Sequence, residues 1–434
     1  MKIKGSKNVE KLSRRDFLKS SAATVVAALA GPTIVPCSVL GANAPSNRIT
    51  IGCIGLGAQG SWIIRDFMSQ PGAQVVAICD VDTNHRENAQ NTASLAVKSA
   101  YNDFRDLLAR DDIDAVVVAA PDHWHVPISI AAAKAGKDIY CEKPLTLTIG
   151  EGRALCNTVK RYGRVLQTGS QQRSDDRFRF ACELVRNGRI GKLHTIRVEI
   201  PRNTRPNPLD WQVEEVPKGF DYDMWLGPAP WAPYTKHRCH YEFRFIFDYS
   251  GGQITNWGAH YLDIAQWGNG TDYTGPVEIV GRGQFPKHGL FTTATKMNVE
   301  YTYANGVKLI CTTRPDDANE GKIRFEGSDG WVFVNRSRID AHPKTILEST
   351  IGPNETHLYN STDHSQNSLD CIKLRKEPVA GVEIGHRSAS LCHLGNIAML
   401  LGRKLKWNPE KEHFINDTTA DRMLGRSMRS PWRI

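Results

Sequence analysis

The sequence lacks three features that would each point to a common class of protein. It has no internal apolar stretch of the roughly 18 to 20 residues that a membrane span needs, so stable membrane insertion is not expected. It has no basic run beyond its first 44 residues, although the formal net charge is +9. Those 44 residues supply +5 of that charge. The remainder is dispersed, which argues against nucleic-acid binding.

The sequence also lacks a CxxC motif and any paired metal-ligand spacing among its ten cysteines. Cys53, Cys79 and Cys311 lie inside apolar runs, where buried, reduced thiols are expected. His123 and His125 have no acidic or cysteine partner at a useful spacing, so no metal site is predicted. The length of 434 residues, without repeats or low-complexity linkers, indicates two or three globular domains.

The first 44 residues follow the order of a signal peptide. Arg14 and Arg15 precede a short apolar stretch over residues 22–35, and small residues suited to a signal peptidase follow by residue 44. The pattern resembles the twin-arginine export signal. It predicts a signal peptide over residues 1–44 and delivery of the folded protein to the periplasm. A basic amphipathic helix is the alternative interpretation.

A glycine motif follows the first predicted strand of the mature chain. An apolar run leads directly into Gly55-Leu56-Gly57-Ala58-Gln59-Gly60, a complete G-x-G-x-x-G that opens a helical pattern. The first glycine permits a tight turn, the second lets the backbone approach a pyrophosphate, and the third lets helix and strand pack closely. The helix N-terminus then faces the phosphates. We expect Gly55, Gly57, Ala58, Gln59 and Gly60 to contact a dinucleotide.

The residues after the motif support the same interpretation. Helical spacing puts four apolar side chains on one side: Trp62, Ile63, Phe67 and Met68. The next apolar run predicts a strand that ends at Asp80, 20 residues past Gly60. A carboxylate at that position accepts hydrogen bonds from the adenosine ribose and repels a 2′-phosphate, which favours NAD over NADP. Arg86 lies close by and keeps NADP as the alternative.

Strand and helix patterns continue to alternate up to residue 168. Helices are expected over residues 101–110 and 127–135, and strands over residues 113–120 and 138–141. This alternation predicts a doubly wound parallel sheet of the Rossmann type. Ligands bind at the carboxyl ends of such strands. Two further motifs lie there: Pro121-Asp122-His123-Trp124-His125 and Glu142-Lys143-Pro144.

Two further patterns occur in the second half of the chain: Asp223–Trp231, and the segment from Gly251 through His260 to Asp263. Together with the motifs above, they resemble the Gfo/Idh/MocA oxidoreductase family. The resemblance implies an NAD-binding Rossmann domain over residues 46–168. It implies a second α/β domain with an open, mostly antiparallel sheet over residues 169–434. It also implies a small-molecule sugar or polyol as substrate, and a homo-oligomer, a dimer or tetramer, assembled through the outer face of the second sheet.

Oxidation of a secondary alcohol needs a proton acceptor that titrates near the working pH. His260 is the first candidate. Helical spacing puts Asn256, His260 and Asp263 on one face, at i, i+4 and i+7. A core histidine satisfied by Asp263 is the alternative. Many family dehydrogenases carry an aspartate where this chain has Asn256, and an amide cannot stabilise an imidazolium by charge.

The resemblance adds further site residues. The family's lysine at the position of Lys143 contacts the reacting hydroxyl, where a cation stabilises a developing alkoxide. Pro121, His125 and Glu142 are expected at the nicotinamide end of the cofactor. Other substrate contacts are expected from three side chains: Arg173, Trp257 and Asp263. A structural ion pair for Arg173 and core packing for Trp257 remain equally open.

Three functions follow from this pattern. The first is an NAD-dependent sugar or polyol dehydrogenase. The second is a redox-neutral glycosidase, lyase or epimerase that holds NAD tightly, because a periplasm has no recycled NAD pool. The third is a non-catalytic sugar-binding protein, since a fold does not by itself imply a function.

Overall fold

The computed structural model describes residues 47–316 and 318–434. The predicted signal peptide over residues 1–44 lies outside the described residues. Within the described ranges, none of the helices has the length and hydropathy needed to cross a membrane. The nine cysteines of this part of the chain are buried and unpaired, as the sequence predicts.

The first part of the described chain forms a six-stranded parallel sheet of order β3-β2-β1-β4-β5-β6. Its strands are β1 (Ile49–Ile54), β2 (Ala73–Cys79), β3 (Ala100–Tyr101), β4 (Ala115–Val118), β5 (Asp138–Cys141) and β6 (Leu166–Thr168). The order reverses between β1 and β4, so the loops after these two strands turn to opposite faces. They open a crevice at the carboxyl edge of the sheet. The predicted Rossmann-type sheet is therefore confirmed.

Five helices connect these strands: α1 (Ala58–Ser69), α2 (Thr83–Ala93), α3 (Phe104–Leu108), α4 (Asp122–Lys134) and α5 (Ile149–Arg161). The predicted helix over residues 101–110 is shorter, because its first residue belongs to the edge strand β3. Helix α4 begins at Asp122, five residues before the predicted start. The apolar side of α1 is also narrower than predicted. Ile63 and Phe67 are buried, whereas Trp62 and Met68 are 48% and 42% exposed.

The rest of the chain builds a nine-stranded sheet of order β13-β12-β11-β7-β10-β9-β8-β14-β15. Its strands are β7 (Leu193–Ile200), β8 (Glu278–Gln284), β9 (Lys296–Thr302), β10 (Lys308–Thr313), β11 (Lys322–Gly327), β12 (Trp331–Val334), β13 (Ile339–His342), β14 (Leu405–Asn408) and β15 (His413–Phe414). Within it β7 and β10 pair in parallel, and the other described ladders are antiparallel. This confirms the second, mostly antiparallel sheet.

The helices of this part are α6 (Asp176–Arg186), α7 (Tyr222–Leu226), α8 (Gln253–Asn256), α9 (Gly258–Asn269), α10 (His364–Leu374), α11 (Val382–Leu401) and α12 (Thr418–Asp421). Helices α6, α9 and α11 cover one face of the sheet with a continuous apolar core. The opposite face carries charged residues at alternate positions, such as Arg197, Lys308 and Arg324. Assembly of an oligomer through that face stays a prediction.

The C-terminal part of the chain returns to the first sheet. Leu369 and Ile372 of α10 belong to the same apolar cluster as Ile63 and Phe67 of α1. Trp432 packs edge-on against Trp124 of α4, with 4.7 Å between the ring centroids. Residues 49–434 form one compact unit. The predicted domain boundary between residues 168 and 169 thus stays a prediction.

Candidate active site

The glycine motif forms the turn between β1 and α1. Gly55 has a φ of +86°, and a Cβ built there would lie 2.4 Å from the backbone nitrogen of Ala120. A Cβ on Gly60 would lie 1.9 Å from the backbone oxygen of Gly55. These two positions therefore admit only glycine. A Cβ built on Gly57, by contrast, would lie 3.8 Å from a His85 ring carbon, an ordinary contact distance, so this backbone is open to a ligand.

A cavity of about 340 Å³ lies over this turn. Its lining includes most of the predicted cofactor contacts: Gly55, Gly57, Ala58, Gln59, Asp80 and Pro121. Gly60 lies behind them, packed on Gly55. The carboxylate of Asp80 accepts hydrogen bonds from the backbone N–H groups of Leu56 at 2.6 Å and Asp82 at 2.8 Å. Asp80 is thereby fixed at the end of β2, beside the open backbone of the turn.

Arg86 does not enter this cavity. One guanidinium nitrogen donates to the backbone oxygen of Asp80 at 2.5 Å and to Asn102 at 2.9 Å. The other donates to the Thr83 hydroxyl at 2.8 Å. Arg86, on which the NADP alternative depends, thus uses three of its N–H donors in hydrogen bonds within the protein.

A second cavity, of about 670 Å³, continues from the first. The two share several lining residues, among them Gln59, Ala120 and Arg244. The second cavity gathers predicted site residues from distant parts of the chain: His125, Glu142, Lys143, Asn256, Trp257 and His260. The carboxyl edge of the first sheet supplies three of them, and helices α8 and α9 with their junction supply the others.

Lys143 lies partly buried in the wall of the second cavity. Its Nζ donates to the backbone oxygen of Asn256 at 3.0 Å and to Oδ1 of the same residue at 3.3 Å. The Asn256 amide nitrogen donates to Gln253 at 2.9 Å, which turns the amide oxygen toward the lysine. Burial lowers the pKa of Lys143 to about 8, because Glu142 offsets the desolvation only in part and Arg244 adds repulsion. A minor fraction of the side chain, about a tenth at pH 7, is therefore a neutral amine.

His260 also lines the second cavity, and its ring Nδ1 is buried without a hydrogen-bond partner among the described residues. Burial, the Lys143 charge and the Arg336 charge hold the pKa of His260 well below its ordinary value. The imidazole is neutral at physiological pH. Helix α8 ends at Asn256 and α9 begins at Gly258, so the single helical face predicted for these residues is interrupted at Trp257.

Arg173 and Asp263 are placed differently from the sequence expectation. Neither lines the cavity, and both side chains are 1% exposed. Arg173 Nε donates to Asp263 at 2.7 Å, and its Nη2 donates to Asp272 at 2.7 Å. Ser388 donates to the second oxygen of Asp263 at 2.7 Å. The geometry is that of a buried ion pair, because the guanidinium of Arg173 is paired with the carboxylates of Asp263 and Asp272 inside the protein.

His125 and Glu142 are fixed between the two cavities and the sheet edge. The Nδ1 of His125 lies 2.7 Å from the Pro144 carbonyl oxygen, and its Nε2 lies 2.8 Å from the Ala120 oxygen. Glu142 accepts a hydrogen bond from Gln171 at 2.9 Å. Burial raises the pKa of Glu142, against the opposing effect of Lys143. Both side chains thus brace the loop that carries Lys143.

The structure adds residues that the sequence interpretation missed. Asp122, inside a motif that was already identified, lines the cavity and accepts a hydrogen bond from Ser250 at 2.5 Å. Gln172, the neighbour of Arg173, lines the cavity with its buried amide unpartnered among the described residues. Arg336 lines it from the loop between β12 and β13. No motif surrounds Arg336, so only the tertiary structure could identify it.

Comparison with known proteins finds relatives that act on sugars or polyols. The chain is 35% identical over 184 residues to a myo-inositol 2-dehydrogenase of Thermotoga maritima, which covers 42% of this chain and 54% of the relative. It is 30% identical over 230 residues to a glycosyl hydrolase family 109 protein of Shewanella pealeana, which covers 48% of each. The chain thus spans about half the length of these curated relatives.

A solved structure shows the same fold over most of the chain. The aldose-aldose oxidoreductase from Caulobacter crescentus, complexed with glycerol, superposes with a TM-score of 0.62 at 20% identity. The match covers 83% of this chain and 99% of that one.

Three family models match the sequence itself. A twin-arginine translocation pathway signal sequence matches residues 11–31, which implies export by that pathway. The NAD-binding Rossmann fold of the oxidoreductase family matches residues 49–170, and its C-terminal alpha/beta domain matches residues 208–434. The chain therefore belongs to the Gfo/Idh/MocA oxidoreductase family.

Proposed function

We propose that this protein is an NAD-dependent oxidoreductase that oxidises a secondary alcohol of a sugar or polyol. The observation that carries the proposal is the partly buried amine of Lys143. It lines a cavity that continues from the open glycine turn, with a pKa lowered to about 8. A proton acceptor tuned near the working pH is what alcohol oxidation requires. The bound dinucleotide supplies the other half of the chemistry by accepting a hydride from the substrate carbon.

Lys143 and His260 have different roles at the substrate hydroxyl. The neutral amine of Lys143 accepts the proton of the substrate hydroxyl, while Asn256 holds the nitrogen in place. His260 stays neutral and offers its unpartnered Nδ1 as a hydrogen-bond partner for the same or a neighbouring hydroxyl. Lys143 thus replaces His260 as the first candidate for the acid/base group, because its pKa lies closer to neutrality.

We propose NAD rather than NADP as the cofactor. The turn formed by Gly55, Gly57, Ala58 and Gln59 would hold the pyrophosphate, and the fixed carboxylate of Asp80 would accept hydrogen bonds from the adenosine ribose. A 2′-phosphate would meet this negative charge. Arg86, which would compensate it, is engaged by Thr83 and the backbone of Asp80.

A redox-neutral reaction is the second candidate. Its support is the export signal together with the similarity to a glycosyl hydrolase family 109 protein. In a periplasm without an NAD pool, a sugar carbon would be oxidised transiently, which acidifies the neighbouring C–H bond. Elimination or epimerisation would follow, and the hydride would then return to the substrate. The reaction leaves no net NADH.

The test begins with the exported protein purified without added cofactor. Bound nucleotide is released and identified, and neutral sugars, polyols and glycosides are then added while absorbance near 340 nm and products are followed. Net NADH indicates a dehydrogenase, and changed products without NADH indicate the redox-neutral reaction. The Lys143→Met variant is expected to keep the nucleotide and lose turnover by about 10²- to 10⁴-fold. A protein that binds no dinucleotide would overturn both enzyme proposals and leave a non-catalytic sugar-binding protein.

A further inference from the structure

The loop between β12 and β13 presents an arginine to the second cavity. The side-chain oxygen of Asn335 accepts hydrogen bonds from the backbone N–H groups of Ser337 at 3.1 Å and Arg338 at 2.8 Å. Its amide nitrogen donates to Glu320 at 2.6 Å, which anchors the loop to the chain before β11. Arg336 lies inside this fixed turn and lines the cavity. Its backbone position is therefore set before any substrate enters.

The guanidinium of Arg336 stacks on the indole of Trp257, with its central carbon 4.9 Å from the ring centroid. Such stacking orders the planar group without satisfying its charge. Trp257 directly follows Asn256, which binds the amine of Lys143. The reactive amine, an aromatic face and an ordered guanidinium thus lie along one wall of the cavity.

The positive charge of Arg336 on this wall lacks an acidic partner among the described residues, whereas the charge of Lys143 is offset in part by Glu142. Within the described ranges, Arg336 forms no ion pair, whereas Arg177 on the cavity lining is paired with Asp175 at 2.7 Å. The Arg336 charge contributes to lowering the pKa values of both Lys143 and His260. A ligand anion at Arg336 would relieve this repulsion.

We propose that the substrate is an acidic sugar whose carboxylate binds to the guanidinium of Arg336 while the hydroxyl to be oxidised lies at Lys143. The inference rests on the proposed function for the position of the reacting hydroxyl. The planar fork of a guanidinium matches the two oxygens of a carboxylate, and the charge-assisted hydrogen bonds are stronger than neutral ones. Arg336 is exposed to solvent and lies on the loop between β12 and β13, not on the sheet edge that carries Lys143, so it acts as a determinant of specificity.

The test measures binding and turnover separately on the protein with its dinucleotide bound. Three matched pairs serve as probes: glucuronate and glucose, galacturonate and galactose, and mannuronate and mannose. At least one uronate is expected to bind tenfold or more tightly than its neutral partner, as measured by calorimetry. The Arg336→Ala variant is expected to remove that preference, because it weakens binding of the uronate much more than binding of the neutral sugar, and Arg336→Lys is expected to keep part of it. Arg338→Ala is the matched control, because Arg338 stacks on Phe333 of the same hairpin and does not line the cavity.

The two proposals fail in different ways. A uronate that binds through Arg336 but is never oxidised would support the acidic substrate and overturn the oxidation. Oxidation of neutral sugars with no preference for any uronate would overturn the acidic substrate and leave the oxidation standing. A preference that survives in Arg336→Ala would overturn the role of Arg336. If glucose 6-phosphate is preferred over glucose as strongly as glucuronate is, the site recognises oxyanions in general. That result would overturn the assignment of a carboxylate.

Discussion

The amine of Lys143 lies 3.0 Å from the backbone oxygen and 3.3 Å from the side-chain oxygen of Asn256, so a single residue supplies both of its described acceptors. Both acceptors are neutral. A neutral acceptor orients the lysine without adding the negative charge that would hold it as an ammonium ion. The exchange of the family aspartate for Asn256 therefore fits proton transfer by the lysine rather than by His260.

Asn256→Asp tests this relationship. The new carboxylate is expected to raise the pKa of Lys143 by about one unit or more, because an opposite charge within hydrogen-bond distance favours the ammonium form. Oxidation needs the neutral amine, so the rise of kcat/KM with pH should move to higher pH. Turnover at neutral pH should fall roughly tenfold for each unit of that shift. The exposed Asn354→Asp change is the control, and an unchanged pH profile would show that Lys143 is not the titrating group.

Asp80→Ser tests the choice of cofactor. Removal of the carboxylate should weaken NAD binding and reduce the preference for NAD over NADP by about tenfold, which corresponds to about 1.4 kcal/mol. The physical reason is the loss of both the ribose acceptor and the repulsion of a 2′-phosphate. Dissociation constants of both dinucleotides give the ratio directly. Asp111→Asn, on the surface, serves as the control, and an unchanged ratio would place the source of selectivity elsewhere.

Arg173→Met tests the buried ion pair. Its loss leaves Asp263 and Asp272 without their shared cation, and unfolding free energy should fall by about 3–5 kcal/mol. The KM for substrate should stay unchanged, because Arg173 does not line the cavity. Arg105→Met breaks an exposed pair with Asp103 and should cost about 1 kcal/mol or less. Urea unfolding measures both, and a raised KM with unchanged stability would restore the substrate-contact role.

Stability in acid provides another test. Burial raises the pKa of Glu383, but hydrogen bonds from Arg153 and Arg387 outweigh this effect and lower it to about 2. The folded pKa lies below the unfolded value, so this stabilisation is complete above about pH 4.5 and is lost as pH falls toward 2. Between pH 5 and 3, the unfolding free energy of Glu383→Gln should fall by about 1–3 kcal/mol less than that of the unsubstituted protein. Urea titrations at several pH values check this against Glu87→Gln, and parallel pH dependences would contradict it.

Export through the twin-arginine pathway to the periplasm is the last prediction. Replacement of Arg14 and Arg15 by lysine should retain the protein in the cytoplasm, since the paired arginines are the feature that the pathway recognises. Cell fractionation with an antibody measures the result, and Lys2→Arg with Lys4→Arg provides a charge-conserving control outside the pair. Continued appearance of the double lysine variant in the periplasmic fraction would overturn the assignment.

Local sequence patterns predicted the Rossmann-type sheet and its glycine turn well. The glycine turn, Asp80 and the alternating strands depend on contacts between residues close in sequence, so spacing and residue type suffice to identify them. The start of α4 was predicted less well, because the helix expected over residues 127–135 begins five residues earlier, at Asp122.

The residue pattern by itself determined the dinucleotide turn, the parallel sheet and His260 as a chemical candidate, and the resemblance to the family added the second sheet and the role of Lys143. Tertiary structure decided which polar groups share the cavity. It turned Arg173 and Asp263 toward each other, because two buried opposite charges need partners inside the protein. It also placed Arg336 on the indole of Trp257, although the two residues lie nearly 80 positions apart in the sequence. Strand pairing and packing create this contact, and local sequence spacing does not encode it.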